Sequence, residues 1–201
     1  MQDLVVLVAD KNMQFAFQGA LARPQALGIR PLTYAFRPHM GRDGGVRSTG
    51  AELLAREAPR FRHALMLLNT HGCGREHESP LTLEATLDGQ LQEVWGERAK
   101  SLVIFPEVDV WLWGADNALC ESLHWSHDAP IRDWLRARGF EFDVDGKPRQ
   151  PKEAIQLICR AQKLARSSAL YERITSRISL QNCTDPAFAR LREQLSAWFG
   201  V

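Results

Sequence analysis

Three carboxylates stand where a parallel sheet would present them to a ligand. Asp10 ends the apolar stretch VVLVAD, and Glu107 and Asp109 follow the apolar stretch SLVIF in SLVIFPEVDVWLW. In an open α/β sheet the carboxyl ends of the strands line the crevice where ligands bind. If these three side chains converge there, their mutual repulsion favours a divalent cation with oxygen ligands, Mg²⁺ or Mn²⁺. Asp10, Glu107 and Asp109 are therefore candidate catalytic residues and candidate metal ligands.

Each of these carboxylates also has a structural interpretation. An Asp just before a helix commonly caps it, and a capping role for Asp10 is compatible with a catalytic one. Glu107 and Asp109 could instead be solvated while the neighbouring tryptophans, Trp111 and Trp113, enter the core. The sequence leaves both interpretations open.

A polar pair follows the third apolar stretch, in MLLNTHGCGRE. Asn69 and His71 are two residues apart, so both side chains can point to one face of an extended chain. The glycines after them allow the backbone to approach a ligand closely. His71 is a further candidate catalytic residue. Cys73 is more typical of a small turn residue than of a nucleophile paired with His71, because close neighbours on an extended chain rarely share a hydrogen bond.

Basic residues provide candidate phosphate-binding groups. The glycine-rich segment 37–54 contains Arg42 and Arg47 ahead of a predicted helix that begins near Ser48, and guanidinium groups near a helix N-terminus form an anion site. An ordinary flexible loop is an equally good interpretation. The C-terminal half carries a basic set that is either solvated surface or a nucleic-acid contact: Lys152, Arg160, Lys163, Arg166, Arg173 and Arg177. We take Arg42, Arg47 and Lys152 as the candidate phosphate-binding residues.

Alternating strand and helix patterns predict the fold that would position these groups. Continuous apolar runs, which suit strands covered on both faces, occur at 4–9, 31–37, 64–69 and 101–105. Helical spacing lies between them, at 13–22, 48–56 and 82–95. This order predicts a Rossmann-like α/β fold with a mostly parallel sheet of about four strands flanked by helices.

The second half of the chain is predicted to be helical. Helices are expected at 118–123, 131–138, 151–165, 168–178 and 186–198, with Ser168 and Asp185 as N-caps. A short strand at 140–145 is a weaker expectation. We therefore expect an α/β core at 1–113 and a helical extension at 114–201 that packs on it to form one globular unit.

The composition limits which binding partners and which cellular compartment we expect for this protein. The 201 residues include 25 Lys and Arg against 24 Asp and Glu, so nucleic-acid binding would require a local basic patch. The four scattered cysteines lack metal-site spacing and are typical of reduced thiols. The N-terminal apolar run, about six residues, is far below the roughly 18 of a membrane span. We expect a cytoplasmic protein that does not contact membranes.

The polar positions after the strands resemble a family motif. Asp10, Asn69-x-His71 and Glu107-x-x-x-Trp111 resemble the Glu, Asp-x-Asp and Glu-x-x-x-Trp of the Toprim-like proteins related to the overcoming-lysogenization-defect nucleases. The resemblance implies a Toprim-like fold and metal-dependent phosphodiester hydrolysis. Asn69 and His71 replace the two aspartates, which removes two negative charges and weakens Mg²⁺ binding, although His favours Mn²⁺ or another transition metal.

A longer resemblance concerns biological role. The run from residue 166, RSSALYERITSRISLQNCTDPAFARLREQLSAWF, with PQALGIRP and HGCGRE, is similar to a component of the bacterial methylation-associated defence system. It implies phage restriction alongside other subunits, in a system that marks self by DNA methylation.

Three functions therefore remain open. The first is a metal-dependent phosphodiester hydrolase, and the second is a noncatalytic adaptor or a nucleic-acid- or nucleotide-binding subunit of the defence complex. The third is a small-molecule or nucleotide sensor that grips an anion with residues 37–48.

Overall fold

A parallel sheet organises the structure, a computed structural model that describes residues 1–180 and 183–201. Within these residues the sheet has four strands in the order β2-β1-β3-β4, and every pairing is parallel. The strands are β1 (Gln2–Val8), β2 (Tyr34–Pro38), β3 (Phe61–Asn69) and β4 (Ala99–Ile104). This arrangement confirms the predicted Rossmann-like α/β fold.

The central position of β1 and β3 explains their composition. Residues 4–8 of β1 and 64–69 of β3 are buried, which matches their continuous apolar runs. β2 is a half-buried edge strand. From β1 the chain passes to β2 on one side of the sheet, and from β2 it crosses over β1 to β3 on the other side. The order in which strands are added therefore changes direction between β1 and β3.

Helices cover the sheet on both sides. The first half contains α1 (Lys11–Leu21), α2 (Pro24–Leu27), α3 (Arg42–Ala55) and α4 (Pro80–Trp95). α3 packs on β1, β3 and α4, and α1 contacts β1 and β2. Right-handed crossovers place α1 on the opposite face from α3 and α4, because the two crossovers run in opposite directions along the sheet.

The start of α3 differs from the prediction. The helix begins at Arg42 rather than near Ser48, so the expected glycine-rich loop is largely helix. Close packing explains two of its glycines: a Cβ on Gly45 would lie 2.3 Å from the His39 ring, and one on Gly50 would lie 2.6 Å from the Met66 sulfur. These glycines belong to a helix that packs against its neighbours, so the interpretation as a flexible loop was wrong, whereas phosphate binding by Arg42 and Arg47 stays a prediction.

Side chains close the outer edge of β4. The Ser101 N–H donates to Asp88 Oδ1 at 2.7 Å, and the Val103 N–H donates to Glu84 Oε1 at 2.8 Å. Glu84 and Asp88 are one turn apart on α4, so both face the strand. Arg190 donates to both oxygens of Glu84, at 2.7 and 3.0 Å. These N–H groups are therefore not open to pairing with another strand.

The second half is helical, as predicted. It contains α5 (Asp116–Ser122), α6 (Ile131–Arg136), α7 (Pro151–Ala161), α8 (Ser168–Thr175) and α9 (Pro186–Phe199). α8 packs on α1, α9 packs on β4, and α7 contacts the 3₁₀ helix Val108–Trp113 that follows β4. The division at residue 113 stays a prediction. Among the described helices, none has the length and apolar character needed to cross a membrane.

Two local expectations in this half were wrong. Residues 140–145 form no strand, only an isolated bridge between Phe142 and Pro148. Ser168 is the first residue of α8 rather than its cap, and its hydroxyl donates to Asn12 Oδ1 at 2.9 Å. Ser168 therefore joins α8 to α1, an interaction between distant segments that local capping rules do not describe.

Asp185 is the predicted N-cap of α9 and has a second role. Its Oδ1 accepts hydrogen bonds from the Phe188 N–H and from Trp111 Nε1, both at 2.9 Å, and the residue is buried. One carboxylate thus starts the last helix and holds the indole of the segment that follows β4.

We expect Asp185→Ala to lower the free energy of unfolding by about 2–4 kcal/mol, because the variant loses a cap and leaves the buried Trp111 N–H without its acceptor. Urea titration measures the change. The control is Ser79→Ala, which removes the exposed cap of α4 and should cost about 1 kcal/mol. Equal losses in the two variants would contradict the second role of Asp185.

Candidate functional site

The carboxyl edge of the sheet holds most of the predicted site residues. The strand order reverses between β1 and β3, and in doubly wound folds the crevice at this point is where ligands bind. Asp10 follows β1, Asn69 ends β3, and Glu107 follows β4 by three residues. The topology therefore brings these three chain segments to one edge.

Glu107 contacts two other predicted site residues, His71 and Lys152. It is only 7% exposed, its Oε1 lies 2.8 Å from His71 Nδ1, and its Oε2 accepts from Lys152 Nζ at 3.0 Å. These contacts join the turn after β3, the segment after β4 and the first turn of α7. A buried carboxylate is stable only if it is paired and hydrogen-bonded, and here both oxygens have partners.

Backbone hydrogen bonds bring His71 to Glu107. The Thr70 N–H donates to the Ile104 carbonyl at 2.8 Å, and the His71 N–H donates to the Pro106 carbonyl at 3.2 Å. The pairing of β3 with β4 thus continues past the strand ends. Inside this turn, the Asn69 side-chain oxygen accepts the Val108 N–H at 2.8 Å. The segment carrying Glu107 is fixed at residues 106 and 108.

The bond to Glu107 determines what His71 can do chemically. It uses Nδ1, so Nε2 is the nitrogen available to exchange a proton with a ligand. The side chain is 63% exposed, so a ligand can reach it. A histidine held at Nδ1 by a carboxylate is the usual arrangement of a general base, because the carboxylate stabilises the imidazolium that forms.

Lys152 occupies an unusual position for a cation. It is the second residue of α7, where the helix dipole disfavours positive charge and favours negative charge. The ion pair with Glu107 offsets this, and it places a carboxylate beside the helix N-terminus. The sequence proposed Lys152 as a phosphate-binding residue, and in the structure its ammonium contacts Glu107.

Asp109 faces a different set of partners. It is 3% exposed, and its Oδ1 accepts from Arg166 at 2.9 Å and from the Tyr171 hydroxyl at 2.6 Å, while Arg166 also donates to that hydroxyl. Burial raises the pKa of Asp109, against the lowering effect of Tyr171 and Arg166. The arrangement anchors the 3₁₀ helix to the residues around α8.

The tryptophans expected as core aromatics, Trp111 and Trp113, are both buried. Glu107 and Asp109 are buried with them, so their alternative interpretation as solvated groups was wrong.

Asp10 caps α1, as one of its two interpretations predicted. Its Oδ1 accepts the Met13 N–H at 2.9 Å. Within the described part of the chain, no hydrogen bond or ion pair joins Asp10 to Glu107 or Asp109. The carboxylate that interacts electrostatically with Asp10 is Asp43, in the first turn of α3.

Asp43 is the site residue that sequence reasoning missed. Its Oδ1 accepts the Asn69 N–H at 2.6 Å, at the junction between α3 and the end of β3. Burial raises the pKa of Asp43 to about 6; the bonds from Asn69 oppose the rise, and the negative charge of Asp10 adds to it. In the sequence, Asp43 was visible as an acidic residue within the segment that we interpreted as a glycine-rich loop.

The two arginines have separate environments. Arg42, the first residue of α3, is exposed, and within the described residues its side chain has no ion-pair or hydrogen-bond partner. Arg47 Nε donates to the Cys73 carbonyl at 2.6 Å and so ties α3 to the turn after β3. Arg42 is therefore the freer of the two to contact a phosphate.

The carboxylate of Glu76 accepts hydrogen bonds from the backbone of the glycine-containing turn 72–74. Gly72 and Gly74 have φ values of +85° and +78°, which favour glycine, and their N–H groups both donate to Glu76 Oε1 at 3.1 Å. Backbone N–H bonds hold the pKa of Glu76 below its usual range. Cys73 is a buried turn residue with a free thiol.

The donor set at this edge fits one kind of metal ion. Mg²⁺ is commonly held by one or two carboxylates, with water and substrate phosphate as its other ligands. Asp10 and Asp43 supply two carboxylates that have no cationic partner among the described residues. Over the same residues, no group of three or more His, Cys, Asp or Glu side chains forms a metal-binding cluster.

Comparison with protein-family models, curated proteins and solved structures found no match for this chain.

We expect Asp43→Asn to be more stable than the wild type at pH 7, by up to about 3 kcal/mol. The folded state keeps the Asp43 proton up to about pH 6, whereas the unfolded chain loses it near pH 3.8. The wild type therefore loses stability as pH rises from about 4 to about 6, and the difference between the proteins should vanish below pH 4. Urea unfolding at several pH values measures it.

The control for this experiment is Glu52→Gln, which neutralises an exposed carboxylate on the same helix. It should change the free energy of unfolding by less than about 0.5 kcal/mol at either pH. A loss of stability in Asp43→Asn at pH 7 would contradict the account of Asp43.

Proposed function

We propose that the carboxyl edge of the sheet is an active site that hydrolyses a phosphodiester, with His71 as the general base. The observation that carries the proposal is the chain His71–Glu107–Lys152, in which an exposed imidazole is held through Nδ1 by a buried carboxylate that is itself held by an ammonium. A purely structural histidine would not need to present its second nitrogen at the sheet edge where ligands bind.

Each residue has a separate role in the proposed reaction. His71 Nε2 removes a proton from the attacking water as the water oxygen bonds to phosphorus, and Glu107 stabilises the resulting imidazolium. The bond from phosphorus to the leaving oxygen breaks, that oxygen takes up a proton from solvent water, and the imidazolium returns its proton to solvent. Arg42 contacts the phosphate. Mg²⁺ or Mn²⁺ held by Asp10 and Asp43 would neutralise charge on the phosphoryl oxygens. Glu107 and Asp109 already pair with Lys152 and Arg166. We therefore do not assign these two carboxylates as metal ligands.

The biological setting rests on the sequence resemblances. They support a Toprim-like member of an antiphage defence system, with other defence subunits and nucleic acid as partners. Four free cysteines among the described residues suit a reducing, cytoplasmic location.

A second function is favoured by the same ion pairs. Lys152 and Arg166 neutralise two of the three carboxylates that were expected to hold a metal. A site with so much of its negative charge neutralised could hold a phosphate without cleaving it. In this alternative the protein is a noncatalytic nucleic-acid- or nucleotide-binding adaptor of the defence complex, and Arg42 contributes to phosphate binding.

Hydrolysis of bis(4-nitrophenyl) phosphate with Mn²⁺ tests the enzymatic proposal. We expect turnover by the wild type and a fall in kcat of at least about 100-fold in His71→Ala, because that variant lacks the general base. Glu107→Gln, which keeps the side-chain shape but loses the charge that stabilises the imidazolium, should fall by about tenfold or more. His77→Ala removes a nearby exposed histidine and should leave kcat unchanged.

The same proteins separate the two functions. If the wild type does not hydrolyse the ester but binds a labelled single-stranded oligonucleotide, and Arg42→Ala weakens that binding, the enzymatic proposal fails and the adaptor is supported. Phage plating gives a second readout: His71→Ala should abolish protection if the site is catalytic and preserve it if the protein is an adaptor.

A further inference from the structure

A cavity lies beside the edge strand β4, and none of the residues assigned to hydrolysis lines it. It has a volume of about 860 Å³, within the range of small-molecule sites. Its walls come from the N-terminus of α4, the end of β4, the loop 143–149 and the N-terminus of α9. Phe105 and Pro106, which precede Glu107 in the chain, form part of the wall.

The walls are largely apolar. Phe105 is 64% exposed and Leu81 is also exposed, which is unusual for large apolar side chains that are not covered by a partner. Pro148, Pro186 and Val110 complete this surface. The cavity therefore suits a ligand with an apolar body.

One wall residue is a buried cation. Lys147 lines the cavity and is only 4% exposed, and its side chain has no hydrogen bond or ion pair with any other residue that the structure describes. Buried lysines are almost always paired, because an ammonium loses its hydration on burial. The positive charge also counteracts the rise that burial causes in the pKa of the Cys183 thiol, which puts the ammonium near that thiol.

The backbone around Lys147 is fixed in position. Asp143 Oδ1 accepts the N–H groups of Asp145 and Lys147, at 3.0 and 2.8 Å, and the Asp143 N–H donates to the Lys147 carbonyl at 2.8 Å. Gly146 in this turn has a φ of +72°. The turn thus positions Lys147 without supplying a partner for its ammonium.

Two other charged groups deep in the cavity already have hydrogen-bond partners. Arg190 is held by Glu84, and Asp185 accepts from Trp111 and Phe188. Asp143 and Asp145 are exposed at the rim. Arg149, which is exposed, lies 3.7 Å from Glu141. Among the lysine and arginine side chains that line the cavity in the described residues, Lys147 is thus the one without an ion pair.

We propose that this cavity binds a small amphipathic monoanion, with its anionic group on Lys147 and its apolar body against Phe105 and Leu81. Strand addition by a peptide is disfavoured here, because Glu84 and Asp88 already occupy the N–H groups at the edge of β4. The proposal does not depend on the proposed function, since it uses none of the residues assigned to hydrolysis.

The probe for this site is anilinonaphthalene sulfonate, an aromatic monoanion whose fluorescence rises in apolar surroundings. We expect saturable binding to the wild type and at least tenfold weaker binding to Lys147→Met, which keeps the length of the side chain and removes the charge. Phe105→Ala should also weaken binding, because it removes an exposed part of the wall. Lys163→Met, which neutralises an exposed lysine elsewhere, should bind as the wild type does.

Displacement from the wild type tests the same claim without a variant. Octanoate should displace the probe, whereas octan-1-ol at the same concentration should not, because only the carboxylate can pair with Lys147. Equal displacement by both would overturn the proposal and indicate an apolar surface that docks another protein. Unchanged affinity in Lys147→Met would also overturn it.

Discussion

The rest of this site depends on the two interactions that the Glu107 carboxylate makes. It is buried at the exit of β4, and it contacts an imidazole from the turn after β3 and an ammonium from the first turn of α7. Without the ammonium a buried carboxylate would be costly to ionise, and without the carboxylate the histidine would lack a fixed orientation. In the role that we propose for His71, the fold must therefore bring three distant segments together before the imidazole can act as a base. The continued pairing of β3 and β4 beyond the sheet supplies two of these segments, and α7 supplies the third.

The two halves of the edge have opposite electrostatics. Near β4, cations accompany the buried carboxylates, namely Lys152 with Glu107 and Arg166 with Asp109. Near β1, Asp10 and Asp43 lie close enough to interact, and neither forms an ion pair with another described residue. Negative charge that is left uncompensated lowers the stability of the folded state, and such a cost is common at functional sites. In the function that we propose, the crevice between β1 and β3 is where a cation from solution would bind, and Glu107 orients His71.

Sequence reasoning succeeded where the pattern was local. The parallel sheet, the helical second half and the Asp185 cap all follow from apolar periodicity or from a residue next to its own helix. It failed where the partner was distant: nothing near Glu107 in the chain indicates Lys152, and Asp109 is bound by residues more than fifty positions later. It also misread the segment after β2, because glycines that allow α3 to press against His39 and Met66 look like a flexible loop. Asp43 was hidden by that same misreading.

The tautomer of His71 tests the central claim most directly. Nitrogen-15 NMR distinguishes the two ring nitrogens of a neutral histidine, and the spectra of the wild type and of Glu107→Ala can be compared at a pH where the ring is neutral. Donation to the carboxylate predicts a proton on Nδ1 and a bare Nε2 in the wild type, and a mixture of the two forms in the variant. A proton on Nε2 in the wild type, or the same spectrum in both proteins, would contradict the role assigned to Glu107.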